Sequence, residues 1–167
     1  MVISYELDSP TVLSFTVEGL PVAQPRARHA RIGNNVRTYY PSSHPIGNWK
    51  NMVIIAVREA FARAALTAQI DCPVFVRAEF VFPMVTTTKM LQKTSKPDCD
   101  NLTKGLLDGI NNSGVWRDDS IVYSMHMTKR YAKDGELACT KVEIALIEPI
   151  LISKRRTGLK GRSEQSP

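Results

Sequence analysis

The first apolar stretch is "VLSFTV", Val12 to Val17, and its apolar and β-branched residues predict a first strand. From Trp49 a clear period sets in. Trp49, Met52, Val53, Ala56, Val57, Ala60, Phe61 and Ala64 recur at helical spacing, while Lys50, Arg58, Glu59 and Arg63 fall off that stripe. This predicts a helix with one face on a core. "PVFVRAEFVF", Pro73 to Phe82, reads as a second strand with Arg77 and Glu79 on one face. A second helix is predicted from Asn101 to Asn112, with Asp100 as its N-cap and "NNSG" as its end. Ser120 to Lys129 and Glu136 to Ile147 read as two more strands joined at "KDGE", where Asp-Gly is a strong hairpin signal.

The stretches between these elements have their own character. "GLPVAQPRARHARIGNNVRTYYPSSHP" holds Pro25, Pro41, Pro45 and "GNN", which argue for a basic loop or arm and against a long regular element. "PMVTTTKMLQKTSKP" reads as a long, mobile polar connection, and the composition after Ile152 turns basic and polar, as in a disordered tail. The expected organisation is an N-terminal extension over 1–11, one domain over 12–152 and a basic tail over 153–167. The expected fold class is α/β of the mixed α+β kind. It is a small mixed sheet of about four strands, leaning antiparallel, with two helices packed on it.

Composition narrows the setting. At 167 residues, 43 % apolar and 23 % charged, the chain suits one globular domain with its own core. No apolar run approaches the ~20 residues that span a bilayer, so no membrane association is expected. The start, "MVISYELDSP", has acids where a secretion signal has a basic region. Cys72, Cys99 and Cys139 lack C-x-x-C spacing, which argues against a disulfide framework or a zinc site and for a reducing cytoplasm. The net charge of +6 is unevenly placed. Arg26, Arg28, Arg31, Arg37 and Lys50 stand in a stretch without acids, and the tail carries Lys154, Arg155, Arg156, Lys160 and Arg162 against Glu164. Such segments attract a polyanion, nucleic acid foremost, although a solvated loop and a solubilising tail have the same composition.

Against that basic background, "KPDCDNLTKGLLDGINNSGVWRDDSIV" gathers Asp98, Asp100, Asp108, Asp118 and Asp119. At ~100° per residue the second helix puts Asp100, Lys104 and Asp108 on one polar stripe, opposite Leu102, Leu106 and Ile110. If the chain is still extended at Asp98, that carboxylate projects to the same side as Asp100. Clustered carboxylates repel one another unless a cation sits between them, and Mg²⁺ accepts such hard oxygen ligands together with substrate phosphate. Bland readings compete: Asp100 as a helix cap, "RDDS" as an exposed turn, Asp108 as a partner of Lys104 or Arg117.

The whole pattern is more specific than its parts. It resembles the signature of the RusA-like Holliday junction resolvases, K-P-D-x-D-N-L-x-K-x-x-L-D-x-L-N followed by V-W-x-D-D and a strand, with Ile110 in place of the usual leucine. The N-terminal half is similar too: a strand, "GLPVAQPRAR", and an arm with "TYYPSS" leading into the Trp49 helix. The resemblance runs from about Leu13 to Ile147. It implies an endonuclease that acts as a homodimer on branched DNA, nicking two opposing strands of a four-way junction symmetrically, in recombination and repair. It further implies dependence on Mg²⁺, with Mn²⁺ as a substitute, no small-molecule cofactor, and a bacterial or phage-infected cell as the setting. Carried over by position, the metal ligands are Asp98, Asp100 and Asp119, with Asp118 in a supporting place, and the essential lysine is Lys104. Arg26, Arg28, Arg31, Arg37 and Lys96 are the expected DNA-binding cations. Of the rival readings, a restriction-like nuclease lacks its (D/E)-x-K, because "RAEFVF" has no lysine. A non-catalytic DNA-binding protein predicts binding with no cleavage under any metal. Nothing in the residues supports or excludes an antitermination role.

Overall fold

The computed structural model describes residues 10–26, 28–32, 35–39, 43–86 and 89–148, the side chains of 28–30, 32 and 36–39 excepted. The expected tail and nearly all of the expected N-terminal extension lie outside the described residues. The elements are β1 (Thr11–Glu18), β2 (Arg28–Ile32), β3 (Asn35–Tyr39), α1 (Ile46–Arg63), β4 (Val74–Phe82), α2 (Cys99–Ser113), a 3-10 turn (Asp119–Ile121), β5 (Val122–Tyr131) and β6 (Cys139–Leu146). The main sheet has four strands in the order β1-β6-β4-β5, with β4 and β5 parallel and the other pairs antiparallel. The mixed sheet and two helices agree with the fold class expected from sequence.

Alternation decides which face is covered. Leu13, Phe15 and Val17 on β1 and Val74, Val76, Ala78 and Phe80 on β4 are buried in one core with Trp49, Val53 and Val57 of α1 and Leu102, Leu106 and Ile110 of α2. The intervening residues, such as Ser14, Thr16 and Arg77, are exposed on the face without helices. The two helices approach closely because α2 carries glycine where they meet. A Cβ on Gly109 would stand 2.9 Å from two carbons of Val53. Lys50 Nζ donates to Asp108 Oδ2 at 2.8 Å across the same seam, so Asp108 pairs neither with Lys104 nor with Arg117. Arg117 instead stands 3.6 Å from Asp71.

Three expectations need correction. The turn at "KDGE" exists, with Gly135 at φ 73° and Glu136 N donating to Lys133 O at 3.0 Å. The strands it joins are not neighbours, however, because β4 lies between β5 and β6. β4 is buried along most of its length, whereas no residue of β5 is fully buried, so β4 takes the centre and β5 an edge. The basic arm is also more regular than expected. β2 and β3 pair antiparallel from Arg28↔Tyr39 to Ile32↔Asn35. Finally, part of the connection before α2 is fixed to β5. Tyr131 N donates to Leu91 O at 2.8 Å and Lys93 N to Lys129 O at 3.2 Å, main-chain bonds that side-chain patterning does not announce.

Candidate active site

Helix α2 begins two residues earlier than its hydrophobic period suggests. Asp98 is its N-cap, extended at φ −73° and ψ 146°, and its side chain makes no capping bond. Asp100 therefore lies inside the first turn and is not the cap. The helical backbone also turns between Asp98 and Asp100, so the expected extended D-x-D geometry is not what the chain adopts there. Leu102 N donates to Asp98 O at 3.2 Å, and Thr103 Oγ1 donates back to Cys99 O at 2.8 Å.

The base of the basic arm runs along this same turn. Gln24 N donates to Asn101 O at 2.8 Å, which brings Arg26 beside the helix start. An open groove of about 450 Å³ lies between them, lined by Gln24, Arg26, Lys96, Pro97, Asp98 and Asn101. Arg26 Nη2 stands 3.7 Å from Asp98 Oδ2, a loose contact whose side chains remain 85 % and 45 % exposed. Lys104 is exposed one turn beyond Asp100, and neither side chain makes a hydrogen bond or ion pair with the described residues. Of the other expected DNA-binding cations, Arg31 is exposed on β2, and the side chains of Arg28 and Arg37 lie outside what is described.

The second acidic pair sits elsewhere. Gly114, at φ 76°, ends α2 in the left-handed conformation that glycine adopts freely. The chain then passes the buried Val115 and Trp116 to reach Arg117, Asp118 and Asp119. Asp118 Oδ1 accepts from Ser120 N at 2.9 Å, which holds its carboxyl below the usual aspartate range. Asp119 is half-buried; its main-chain carbonyl accepts from Val122 N, and its side chain bonds to no described residue. The two side chains thus differ: the Asp118 carboxylate caps the 3-10 turn, and the Asp119 carboxylate has no partner among the described residues.

One contact places the start of α2 against the sheet. Cys99 Sγ lies 3.9 Å from Met127 O, so the start of α2 stands beside the middle of β5. Asp119 precedes Val122, the first residue of that strand, and five strand residues extend ~17 Å. Asp98 and Asp100 therefore flank a residue that touches the middle of β5, whereas Asp118 and Asp119 stand ahead of its first residue. Among the described residues, no three His, Cys, Asp or Glu side chains are grouped so as to hold a metal ion. In donor type the carboxylates fit a hard divalent cation. In placement, one chain does not bring the predicted set together.

Patterning also hid two residues that shape this region. Gln24 acts through a main-chain bond, which leaves no local mark. Lys129 did leave one: it is a lysine at an inward position between Met127 and Tyr131, both packed on the core.

With this geometry in place, comparison with known proteins adds the lineage. Residues 18–145 match the family described as Endodeoxyribonuclease RusA. An uncharacterized protein of Bacillus subtilis, YqaN, is 27 % identical over 130 residues, covering 73 % of this chain and 89 % of its own. A crossover junction endodeoxyribonuclease RusA of Aquifex aeolicus is 27 % identical over 97 residues, covering 58 % of this chain and 67 % of its own.

Proposed function

The chain belongs to the RusA endodeoxyribonuclease family, and from that premise we propose that it resolves four-way DNA junctions by paired, symmetrical nicks. It is an endonuclease acting on DNA. The observation that carries the finer reading is the grouping at the start of α2. Asp98, Asp100 and an unpaired Lys104 share one helix end, and the basic arm is tied to that same turn through Gln24 and Asn101. Asp98, Asp100 and Asp119, with Asp118 beside them, would hold Mg²⁺, or Mn²⁺ in its place. Such an ion polarises the phosphoryl oxygen and lowers the pKa of bound water.

The chain's own residues do the rest. Arg26 and Lys96, exposed on the groove, receive the phosphate backbone next to the cleaved bond. Arg28, Arg31 and Arg37 extend that hold along the arm. Lys104 meets the reacting phosphate, where an ammonium offsets the charge that grows in the transition state. Asp118 keeps the 3-10 turn in shape and so sets where Asp119 lies.

We further propose that two chains act together. A four-way junction has near two-fold symmetry and takes two cuts, which suits a homodimer. The separation of Asp98 and Asp100 from Asp119 within one chain supports the same conclusion, because a second copy can supply the missing carboxylate. On this proposal the enzyme works in the cytoplasm of a bacterial or phage-infected cell. No described helix is long and apolar enough to cross a membrane.

The test is incubation with a synthetic four-way junction and with a linear duplex of the same sequence, in Mg²⁺ or in EDTA. Symmetrical nicks in the junction alone, with Mg²⁺ alone, are the expected result. Junction binding without nicks under Mg²⁺ or Mn²⁺ would move the protein to the non-catalytic class.

A further inference from the structure

We propose that Lys129 is a positioning residue for Asp98, its ammonium clasping the backbone that delivers this carboxylate to the start of α2. The functional half of this inference rests on the nuclease reading above. Lys129 stands on β5 in register with Phe80, on the side of the sheet that carries the helices. Lys129 is partly buried, and the hydration its ammonium gives up there is replaced by acceptors. It finds two main-chain carbonyls, Ser95 O at 2.8 Å and Pro97 O at 2.6 Å. Pro97 directly precedes Asp98.

The neighbours of Lys129 hold the same segment. Lys93 Nζ lies 5.0 and 5.1 Å from the ring centres of Phe82 and Tyr131 and donates to Ser95 Oγ at 2.7 Å. That hydroxyl stands 3.3 Å from the Tyr131 hydroxyl. Cys99 Sγ, on the far side of Asp98, approaches Met127 O. Met127, Lys129 and Tyr131 are successive helix-side positions of β5, and each touches a different point between Ser95 and Cys99.

Asp98 has little else to fix it. Its side chain makes no capping bond, and its contact with Arg26 is long and exposed. Its place therefore comes from its backbone, which is held on the helix side by the bond from Leu102 N to Asp98 O and on the other side by the clasp at Pro97 O. Placement errors of ~1 Å at a reacting centre can cost ~10²-fold in rate.

An ordinary stabilising contact would lower the melting temperature and nothing more, so the test compares Lys129→Met with Lys50→Met, a half-buried lysine paired far from Asp98. Amide hydrogen exchange of the full chain, without divalent ions, reads residues 95–101. Single-turnover cleavage of a four-way junction with Mg²⁺ reads chemistry, and junction affinity in EDTA reads binding. Lys129→Met should speed exchange across 95–101 by about tenfold, the loss of a charged hydrogen bond. It should slow cleavage by ~10–100-fold, as loss of a ligand's support does, with affinity in EDTA nearly unchanged. Lys129→Arg should recover part of the protection, because its wider fork keeps one carbonyl bond. Lys50→Met should melt earlier and leave exchange in 95–101 and cleavage per folded molecule as in the wild type. Unchanged exchange in Lys129→Met removes the clasp, and faster exchange with wild-type cleavage removes its role in positioning. A wild-type protein that cuts no junction overturns the nuclease reading and leaves the exchange result to decide the clasp by itself.

Discussion

Two groups of charges in this chain are treated in opposite ways. On the face of the sheet without helices, Arg130 is only 12 % exposed and holds Glu79 through two bonds of 2.8 Å and Glu136 through two more. Lys141 completes the set at 2.8 Å from Glu136 and 3.9 Å from Glu79. The Arg130 guanidinium holds both carboxyls below the usual glutamate range, Glu136 furthest. At the start of α2 the situation is reversed: Asp98 has one loose contact, and Asp100 and Lys104 have none among the described residues. The first group joins β4, β5, β6 and the turn between the last two. The second contributes no such side-chain bonds, and its charges are the ones proposed to meet a metal ion and phosphate. A charge committed to the fold shows its partners, whereas the charges proposed for chemistry here have one loose contact or none among the described residues.

The largest expected effect comes from the unpaired group. Asp98→Asn, Asp100→Asn and Asp119→Asn should each reduce nicking below detection while junction binding stays intact or tightens, since a phosphate-repelling charge is lost with each ligand. Asp118→Asn should be milder, because an amide oxygen can still accept from Ser120 N. Wild-type nicking by Asp119→Asn, measured beside its neighbour, would reverse that assignment. Next comes Lys104→Arg, which keeps the charge but not the compact ammonium. A loss of ~10²-fold or more in single-turnover rate at saturating Mg²⁺ is expected, as for removal of a transition-state donor. Full activity would reduce Lys104 to charge balance.

The paired group should respond in stability instead. Arg130→Met strands Glu79 and Glu136 beside each other and should lower the melting temperature by several degrees, with cleavage per folded molecule little changed. The pH dependence follows by sign. Both glutamates have folded pKa values below the ordinary 4.5, so their stabilisation is present above it and is lost as pH falls through the folded values. Arg130→Met should flatten that acid limb of the stability curve, and an unchanged limb would show that the cluster does not couple to folding. The smallest effect is expected from a chain ending at Ile152. Losing five tail cations should weaken junctions and duplexes alike and reduce the salt slope by up to ~0.9 per phosphate released. An unchanged slope would mean that the tail never meets DNA.

Much of the frame was legible because burial imposes a period. The Trp49 stripe, the alternation of β1 and the split of α2 into a leucine face and an Asp100–Lys104 edge all follow from it. Partners were less legible. Asp134-Gly135 specifies a turn but not which strands it places side by side, and the burial of β4 decided that. The pairing of β2 with β3 was obscured by the prolines at either side, although Gly33-Asn34 between Arg28–Ile32 and Asn35–Tyr39 is a hairpin signal. At the candidate site, residue types pointed to the chemistry, and the D-x-D spacing misplaced the cap by two positions. Lys129 could have been found as a lysine where the strand's alternation calls for an apolar residue.

The central claim is that acids kept apart along β5 in one chain are united between two. The most direct measurement mixes Asp98→Asn and Asp119→Asn chains, each inactive alone, and follows nicking of a labelled four-way junction in Mg²⁺. A mixed dimer then has one complete site, so nicking should return at about half the wild-type rate per dimer. A mixture as inactive as either variant, in dimers shown to contain both chains, would contradict it.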